Sequence, residues 1–566
     1  MQSLSGVAQR IAACAVVVGL AGCRGTGAGA PAVNTNGSLP DTTGQTAIER
    51  GRTLFQGLRC INCHGADGRG SPLFPGAPVV VGRRAADIHR QIVEPCDPAA
   101  DITSCHPLKI PDLTDMQLDD IAAYLASLAD SAGQPDPGPP CDDTPGNICT
   151  IAGNGVAGNR AGQGVMAREQ YLFWPQNVNL DPQGRVVITD WNNYMTRRIE
   201  PTSCRAVTDA NGNPAGTDCP IDNIIGTGLL GDSCSSVDDP NPVMATQARL
   251  NHTVGLLYDP LGNIILWTWH NWKVKYVEVL PDGSTGRIFC LFGNCRGFSG
   301  DGEPVGFNFD GMEGPARFNL PSSCVYDNAG NFYISDQGNL RIRRVRADAD
   351  DDWSATESFV RSHQNNIVET FAGGLLNEVG ETRRTLPDYS DSGDSGPAAQ
   401  CTINVQSGFD AVPQGRLAID RERNLLYLAD SENSRIRVID LNQNPPIINT
   451  FAGGGNDVVA DGVPATAAKL FRPADVDVKP DGSGDILITD TFNHCVRLVD
   501  FATGTIRTVA GTCGAETRGY AGDGGQATQA LLNEPGGSYI AADGTIYIAD
   551  TLNHRVRRVN SPGMGR

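Results

Sequence analysis

The sequence is short of positive charge and of aromatic residues. It has 44 Lys and Arg against 64 Asp and Glu, which gives a formal net charge of −20. A chain this acidic repels phosphate backbones, so we predict that nucleic acid is not a partner and that a basic protein is favoured. Aromatic residues make up only 6% of the chain, while Gly and Pro are frequent. This composition is typical of many turns and short strands rather than of long helices.

Long apolar runs are also missing. No stretch reaches about 18 apolar residues, so the sequence predicts no membrane-spanning helix. A shorter run, Ile11 to Leu20, follows Arg10 and is typical of an export signal. It ends in Leu20-Ala21-Gly22-Cys23, which resembles the bacterial lipobox. The resemblance implies that residues 1–22 are a lipoprotein signal peptide and that Cys23 is lipidated. Ordinary signal cleavage, which leaves Cys23 as a thiol, is the alternative.

The predicted location follows from the same resemblance. The residue after Cys23 is Arg24 rather than Asp, which implies the outer membrane. We therefore expect a lipid-anchored protein of the bacterial cell envelope that contacts the membrane through its anchor only. A total of 17 cysteines also fits an oxidising compartment.

Composition divides the remaining chain into four segments. Residues 23–46 are rich in Gly, Ala, Pro, Ser and Thr, which predicts a flexible tether. Residues 47–130 carry helical patterning, and residues 131–147 form a Pro/Gly-rich linker. Residues 148–566 repeat themselves and predict a separate all-β domain.

The helical segment contains a haem-attachment motif. Cys60, Cys63 and His64 form C-x-x-C-H, in which two thiols reach two vinyl groups of one haem and the adjacent imidazole reaches the iron. An apolar stripe at helical spacing follows Thr114. Residues 47–130 resemble small class I cytochromes c, which implies a small all-α domain that holds one covalent haem c. A redox C-x-x-C pair or a zinc half-site is the alternative interpretation.

The sixth iron ligand departs from the family pattern. A Met-Pro pair usually precedes the final helix of these cytochromes, and here His106-Pro107 stands in that place. We predict His106 as the second axial ligand, which implies bis-His iron and a lower potential than Met/His ligation. Met116 is the alternative, and His89 is a third candidate. Cys96 and Cys105 are predicted to pair and to fix the loop that bears His106.

The second domain is built from six repeats. Each repeat has an anchor, usually Asp, with Asn three residues later and Arg or Lys seven residues later. The anchors are Asp190, Thr268, Asp336, Asp430, Asp490 and Asp550. An apolar run precedes each anchor and an alternating run follows it. This pattern predicts a hairpin whose turn is held by side-chain bonds to the backbone.

Each repeat also carries a strand that ends in Gly, so one repeat supplies about four strands. The pattern resembles NHL repeats, which implies a six-bladed β-propeller. The region starts with a Gly-ending strand at Cys149 to Gly153 and ends with a hairpin strand at Arg555 to Val559. We expect the first strand to complete the last blade and to close the ring.

The repeats show no obvious catalytic cluster. The residue that leads into the inner strand can be compared in five blades: Trp174, His252, Leu320, Arg472 and Glu534. One imidazole cannot build a zinc site of several histidines. We expect His494 and His554 to serve turn and blade packing, and His270 and His363 to be isolated.

Two further clusters are open to interpretation. The acidic run Asp348, Asp350, Asp351 and Asp352 could hold calcium, although a solvated loop is preferred. Trp267, Trp269 and Trp272 are predicted to be exposed, either as packing between blades or as a partner-binding patch.

An odd number of cysteines remains once Cys14, Cys23, Cys60 and Cys63 are set aside, so at least one is free or intermolecular. Close spacing predicts three loop disulfides: Cys141–Cys149, Cys204–Cys219 and Cys290–Cys295.

These features predict an extracytoplasmic electron-transfer protein with a c-type haem, whose propeller binds a redox partner protein or a ligand. The alternative is a haem-coupled dehydrogenase, in which the propeller oxidises a sugar or an alcohol. Because no catalytic set is visible in the sequence, an electron carrier is favoured over an enzyme.

Overall fold

The fold was obtained as a computed structural model of the chain. The structure describes residues 138–139, 141–159, 164–208, 214–306, 316–373, 394–405, 413–456 and 461–561. The predicted signal peptide, tether and cytochrome c domain lie outside these residues. The predicted all-α fold of residues 47–130 therefore stays a prediction.

The described strands are numbered β1 to β30 in chain order, and all but β6 and β7 form six antiparallel sheets of four or five strands. We call these sheets blades one to six. Blade one contains β2 (Val165–Met166), β3 (Pro175–Leu180), β4 (Val186–Asp190), β5 (Met195–Ile199) and β8 (Pro220–Ile225). Blade two contains β9 (Thr253–Tyr258), β10 (Ile264–Thr268), β11 (Lys273–Val279) and β12 (Thr285–Phe292). Blade three contains β13 (Glu303–Pro304), β14 (Pro321–Tyr326), β15 (Phe332–Asp336), β16 (Arg341–Val345) and β17 (Ile367–Ala372).

The remaining blades follow the same order. Blade four contains β18 (Gly396–Pro397), β19 (Leu417–Asp420), β20 (Leu425–Asp430), β21 (Arg435–Asp440) and β22 (Ile447–Gly453). Blade five contains β23 (Val463–Pro464), β24 (Asp475–Val478), β25 (Ile486–Asp490), β26 (Cys495–Asp500) and β27 (Thr505–Ala510). Blade six contains β28 (Gly537–Ile540), β29 (Ile546–Asp550), β30 (Arg555–Val559) and β1 (Ile148–Ala152). A separate hairpin of β6 (Arg205–Thr208) and β7 (Pro214–Asp218) projects from blade one.

Helical structure in the described residues is short. The α-helix α1 (Thr356–His363) lies between β16 and β17. Six 3-10 turns connect the strand that ends at the repeat anchor to the strand that follows it: Trp191–Asn193, Trp269–Asn271, Gln337–Asn339, Ser431–Asn433, Thr491–Asn493 and Thr551–Asn553. Five more 3-10 turns precede the inner strand of a blade and contact the outer strand of the preceding blade: Ala167–Glu169, Ala245–Gln247, Ala398–Gln400, Ala465–Ala467 and Ala527–Gln529. We call the face that carries the first six turns the upper face, and the opposite face the lower face.

The six blades surround one axis. The inner strands contact one another in a closed cycle, β3 to β9, β14, β19, β24, β28 and back to β3. This cycle confirms the predicted six-bladed β-propeller. The apolar side chains of each blade pack against the next blade, so the core is distributed between blades.

The ring closes with strands from both ends of the repeat region. Strand β1 pairs antiparallel with β30, and Ile148 lies opposite Val559. The prediction that the first strand completes the last blade is confirmed. Closure of this kind leaves no open edge between the first and last blades.

Candidate functional site

The residues that the sequence assigns to haem and lipid lie outside the described part of the chain. These are Cys23, Cys60, Cys63, His64 and His106, with the alternatives Met116 and His89. The predicted Cys96–Cys105 pair lies outside it as well. The donor set itself fits a c-type haem, because two thiols three residues apart are followed directly by an imidazole.

Within the propeller, the anchor residues hold the upper face together. In blade three, Oδ1 of Asp336 accepts a hydrogen bond from the backbone N–H of Asn319 at 2.7 Å. Its Oδ2 accepts from Asn339 at 2.8 Å and from Arg343 at 3.4 Å. Arg343 then reaches Asp301 at 2.6 Å. Burial raises the pKa of Asp336 to about 6, against the opposing effect of Arg343. The predicted role of the Asp and Asn side chains at the turn is confirmed, but the backbone amide that Asp336 binds belongs to Asn319, outside the turn.

In blade two the turn is held by other residues. Its anchor is Thr268, which has no carboxylate to offer. Oδ1 of Asn271 instead accepts the N–H of Asn251 at 3.0 Å. The repeat cation Lys275 binds Asp232 at 2.6 Å. Blade two therefore keeps the turn and the buried ion pair but departs from the other repeats in chemistry.

The residue after each anchor is buried at the top of the central channel. These residues are Trp191, Trp269, Gln337, Ser431, Thr491 and Thr551. In blades four to six they are hydroxyls that bond to backbone groups. The Thr551 hydroxyl, for example, donates to the carbonyl of Pro175 in blade one at 2.7 Å. In blades one to three they are two indoles and an amide, so the side chains in this half of the channel mouth are bulkier and more aromatic.

The residues that lead into the inner strands form a rim around the channel. Trp174, His252, Leu320, Arg472 and Glu534 all have positive φ, from 45° to 56°. The structure adds a sixth rim position, which the sequence comparison missed. Asn404 donates its N–H to Asp430 at 2.7 Å, as Asn319 does to Asp336, so Val405 takes the rim position of blade four. An insertion after Val405 hides this equivalence in the sequence.

His494 and His554 connect neighbouring blades at the rim. Nδ1 of His494 accepts the backbone N–H of Glu534 at 3.1 Å, and Nδ1 of His554 accepts that of Trp174 at 3.4 Å. Each histidine ends its turn in the left-handed conformation. Their predicted role in turn and blade packing is confirmed.

A second imidazole stands beside the rim histidine, so the prediction that His270 is isolated is wrong. The Nδ1 atoms of His252 and His270 lie 2.8 Å apart. Nε2 of His252 lies 3.0 Å from Oδ1 of Asn192. The ring of His252 also packs against Trp191 and Tyr194, with centroids 4.4 and 4.9 Å away. We call His252, His270, Asn192, Trp191 and Tyr194 the His252 cluster.

Both imidazoles of the His252 cluster favour the neutral form. Burial lowers the pKa of His270 to about 4, and the positive charge of Arg296 acts in the same direction. Burial also holds the pKa of His252 well below its usual range, with a further contribution from His270. Two neutral imidazoles in contact share hydrogen-bond protons rather than charge.

The three tryptophans of blade two are not exposed as predicted. Trp267 and Trp269 are buried, and Trp272 is only partly exposed. The indole of Trp267 lies over Gly255, where an added Cβ would be 2.5 Å from the ring. Trp269 donates its Nε1–H to Gln337 of blade three at 3.1 Å. The Trp267 contact lies within blade two, and the Trp269 contact is the packing between blades that the sequence left as one of two alternatives.

The central channel is crossed by a charged residue that sequence reasoning missed. Arg416 precedes the inner strand of blade four and is buried. It binds Asp475 of blade five at 3.2 Å and donates to the carbonyl of Gln176 in blade one at 2.7 Å. Gly537 of blade six leaves room for it, because a Cβ there would lie 2.2 Å from its Nη1. Arg416 thus links blades on opposite sides of the axis.

The disulfide predictions are partly right. Cys141–Cys149 and Cys204–Cys219 are confirmed. The predicted Cys290–Cys295 pair is wrong, because Cys290 bonds to Cys234, which β12 brings alongside. Cys495–Cys513 is a further disulfide that the sequence did not single out. Among the described cysteines, Cys295, Cys324 and Cys401 are free.

Two features are absent from the described residues. No three side chains of His, Cys, Asp and Glu converge there as a metal-binding group. No helix in this part of the chain has the length and apolar character needed to cross a bilayer.

Comparison with known proteins assigns the region before the propeller. Residues 48–129 match the family model of cytochrome c, and the C-x-x-C-H motif lies inside the match. A cytochrome c domain implies the binding of haem c. The chain is therefore a haem-binding propeller protein, with NHL-repeat proteins among its homologues.

The curated relatives share only part of their length with this chain. Protein SUPPRESSOR OF QUENCHING 1, chloroplastic, from Arabidopsis thaliana is 32% identical over 148 residues, which are 24% of this chain and 12% of the relative. NHL repeat-containing protein 2 from Gallus gallus is 34% identical over 162 residues, which are 27% of this chain and 21% of the relative. The chain thus spans between an eighth and about a fifth of these relatives.

Solved structures resemble the fold more distantly. An auxiliary nutrient binding protein from Bacteroides ovatus is 13% identical with a TM-score of 0.42, covering 73% of this chain and 75% of that chain. A gluconolactonase from Xanthomonas campestris is 11% identical with a TM-score of 0.35, covering 74% and 95%. Likenesses at these TM-scores support no inference about chemistry in this chain.

Proposed function

We propose that this protein is an extracytoplasmic electron-transfer protein whose propeller binds a redox partner. The observation that carries the proposal is the C-x-x-C-H motif of Cys60, Cys63 and His64 within the residues that match cytochrome c. In this proposal the two thiols hold one haem c covalently and His64 is an axial ligand. The bound haem would supply one-electron oxidation and reduction.

The second axial position is proposed for His106, with Met116 as the alternative. An imidazole there gives a lower reduction potential than a thioether. The choice therefore sets which partners exchange electrons with the protein.

The disulfides of the propeller support a location outside the cytoplasm. Four of them lie in the described residues, and such bonds persist in oxidising compartments. Together with the lipobox at Cys23, they support a protein of the bacterial cell envelope that is anchored to the outer membrane by lipid.

We place the redox partner on the lower face of the propeller. The turns and loops of this face carry exposed carboxylates and few exposed cations to balance them. The exposed acidic residues are Asp142, Asp143, Asp282, Asp348, Asp350, Glu422, Asp481 and Asp543. A basic partner would be steered to such a surface, and the rate of association would fall with ionic strength.

Visible spectroscopy of the purified, haem-loaded protein tests the haem assignment. We expect a low-spin c-type spectrum that lacks the weak near-infrared band of Met–Fe(III) ligation. Replacement of both Cys60 and Cys63 by Ala should abolish covalent haem. His106→Ala should open the iron site, whereas His89→Ala should leave the spectrum unchanged. A Met-type band, lost in Met116→Ala, would show that Met116 is the ligand instead.

A second measurement separates electron carrier from dehydrogenase. The oxidised protein is mixed with sugars or alcohols, with and without added quinone cofactor, and the haem bands are followed. An electron carrier stays oxidised in every mixture and is reduced only by its partner. Reduction by a sugar or an alcohol would contradict the carrier proposal and support the enzyme.

A further inference from the structure

The loop and helix inserted on the lower face of blade three bring together three buried polar side chains. Asp351 lies in the loop after β16, His363 ends α1, and Asn366 directly precedes β17. All three are at least nine-tenths buried, with 6% of the Asp351 side chain and none of the His363 side chain exposed. The prediction that His363 is isolated is therefore wrong.

The imidazole of His363 presents a lone pair to this cluster. Its Nδ1 lies 2.8 Å from the carbonyl oxygen of Phe359, which can only accept, so Nδ1 carries the proton. Nε2 then carries the lone pair in the neutral ring, and it finds no hydrogen-bond donor among the described residues. A histidine that ligates a metal commonly donates its other N–H to a backbone carbonyl in this way.

The carboxylate of Asp351 and the amide of Asn366 are in direct contact. Oδ2 of Asp351 accepts from Asn366 Nδ2 at 3.0 Å and from the N–H of Asp348 at 2.9 Å. Because the amide nitrogen faces a carboxylate, the orientation of the Asn366 side chain is fixed. Oδ1 of Asp351 and Oδ1 of Asn366 are both buried, and neither has a partner in the described part of the chain.

Three buried acceptor atoms without a donor are costly in an apolar setting. One wall of the cluster is aromatic, with Trp353 and Phe359 at 5.0 and 4.1 Å from the His363 ring. A cation bound among these side chains would take the place of the missing hydrogen-bond donors. Nε2 of His363 lies 3.7 Å from Oδ2 of Asp351. This Oδ2 is the oxygen that also accepts from Asn366 and Asp348, and the separation shows that the imidazole lies beside the Asp351 carboxylate group.

We propose that His363, Asp351 and Asn366 bind one divalent metal ion of the zinc class and so fasten the inserted loop and helix to blade three. One imidazole nitrogen with two oxygens suits zinc and neighbouring transition metals, whereas calcium takes oxygen ligands only. The site is independent of the haem motif.

Metal binding by the full-length, haem-loaded protein tests the proposal. Protein stripped with EDTA is dialysed against buffered zinc, and zinc and iron are measured in the same sample. We expect one zinc per chain. His363→Gln and Asp351→Asn should each weaken zinc binding by at least tenfold, and Asn366→Asp should strengthen it. Asp348→Asn is the matched control, because its carboxylate is exposed, and it should bind like the parent.

Thermal unfolding gives a readout that a purely structural role of these residues would not move. Zinc should raise the unfolding temperature of the parent in a concentration-dependent way and leave that of His363→Gln unchanged. X-ray absorption at the zinc edge should show one imidazole and oxygen neighbours. Absence of bound zinc in the parent, or equal binding in the parent and His363→Gln, would overturn the proposal in favour of a proton or a buried water.

Discussion

Blades four to six and blades one to three treat the same turn position differently. In the later blades the residue after the anchor is Ser431, Thr491 or Thr551, and its hydroxyl bonds to backbone groups. In the earlier blades it is Trp191, Trp269 or Gln337, and these side chains fill the channel mouth. Blades four to six are alike because a hydroxyl at this position bonds to backbone groups in each of them. Blades one to three differ from this pattern, and the His252 cluster lies among them.

The largest expected difference between the halves concerns the anchor. Asp550 accepts hydrogen bonds from Asn533 and Asn553, each at 2.8 Å, and lies 3.5 Å from the buried Arg557. Asp550→Ala leaves these groups without their acceptor, so we expect a loss of about 3 kcal/mol. Thr268→Val in blade two should cost only about 1 kcal/mol, because Thr268 makes one hydrogen bond to a backbone carbonyl. Equal losses of stability in the two variants would show that the Asp and Thr anchors contribute alike.

Denaturant unfolding followed by tryptophan fluorescence measures both variants. All 6 tryptophans lie in the propeller, so the signal reports on this domain alone. Unfolding of Asp550→Ala also reports on closure of the ring, because Asp550 lies in blade six, which β1 completes.

The next effect is a pH dependence of stability that arises in blade two, through His270. Burial lowers the pKa of His270 from 6.5 to about 4. A histidine whose pKa is depressed in the folded protein stabilises it fully above pH 6.5, and this contribution is lost as the pH falls toward 4. The loss amounts to about 2–3 kcal/mol across that window. His270→Gln should therefore unfold with a weaker acid dependence than the parent. An unchanged pH profile would show that His270 is not buried in the neutral form.

A smaller loss of stability is expected when one of the hydroxyls in blades four to six is removed. The Thr551 hydroxyl accepts from the N–H of Gly536 at 2.9 Å and donates to the Pro175 carbonyl at 2.7 Å. Thr551→Val removes both bonds, although the N–H of Gly536 keeps the Ala549 carbonyl as an acceptor at 3.1 Å, so we expect a loss of about 1.5 kcal/mol. Thr551→Ser keeps the hydroxyl and serves as the control. A Val variant as stable as the Ser variant would show that these hydroxyls do not bridge the blades.

The smallest expected difference in stability is between substitutions of the two indoles, Trp191 and Trp269. Trp269 bonds to Gln337 through Nε1, whereas Nε1 of Trp191 finds no acceptor among the described residues. Trp269→Phe should therefore cost about 1 kcal/mol more than Trp191→Phe. Denaturant midpoints of the two variants give this difference, and a reversed order would place a hydrogen bond on Trp191 instead.

The fold could be predicted from the sequence because its signals are local. A turn that needs a side-chain acceptor at Asp336 and an amide at Asn339 repeats in the chain at fixed spacing. The disulfides Cys141–Cys149 and Cys204–Cys219 were predictable for the same reason, since each closes a short loop.

What the sequence did not predict depends on contacts between distant blades. Arg416 meets Gln176 only because a ring of six places blade four opposite blade one. Cys234 meets Cys290 across 56 residues. His252 and His270 face each other because a rim residue and a turn of the same blade converge at the channel. None of these pairs leaves a local spacing pattern, so sequence reasoning had no signal for them.

Closure of blade six by β1 has a consequence for the order of folding. Ile148 pairs with Val559, so the partner of the first strand is synthesised only after the other strands of the ring. Until then β1 has no sheet to join, and contacts so distant in sequence form slowly. The residues that match cytochrome c, 48–129, are synthesised in full before the ring can close. Haem attachment to this region and completion of the propeller are therefore separable steps in the biogenesis of the protein.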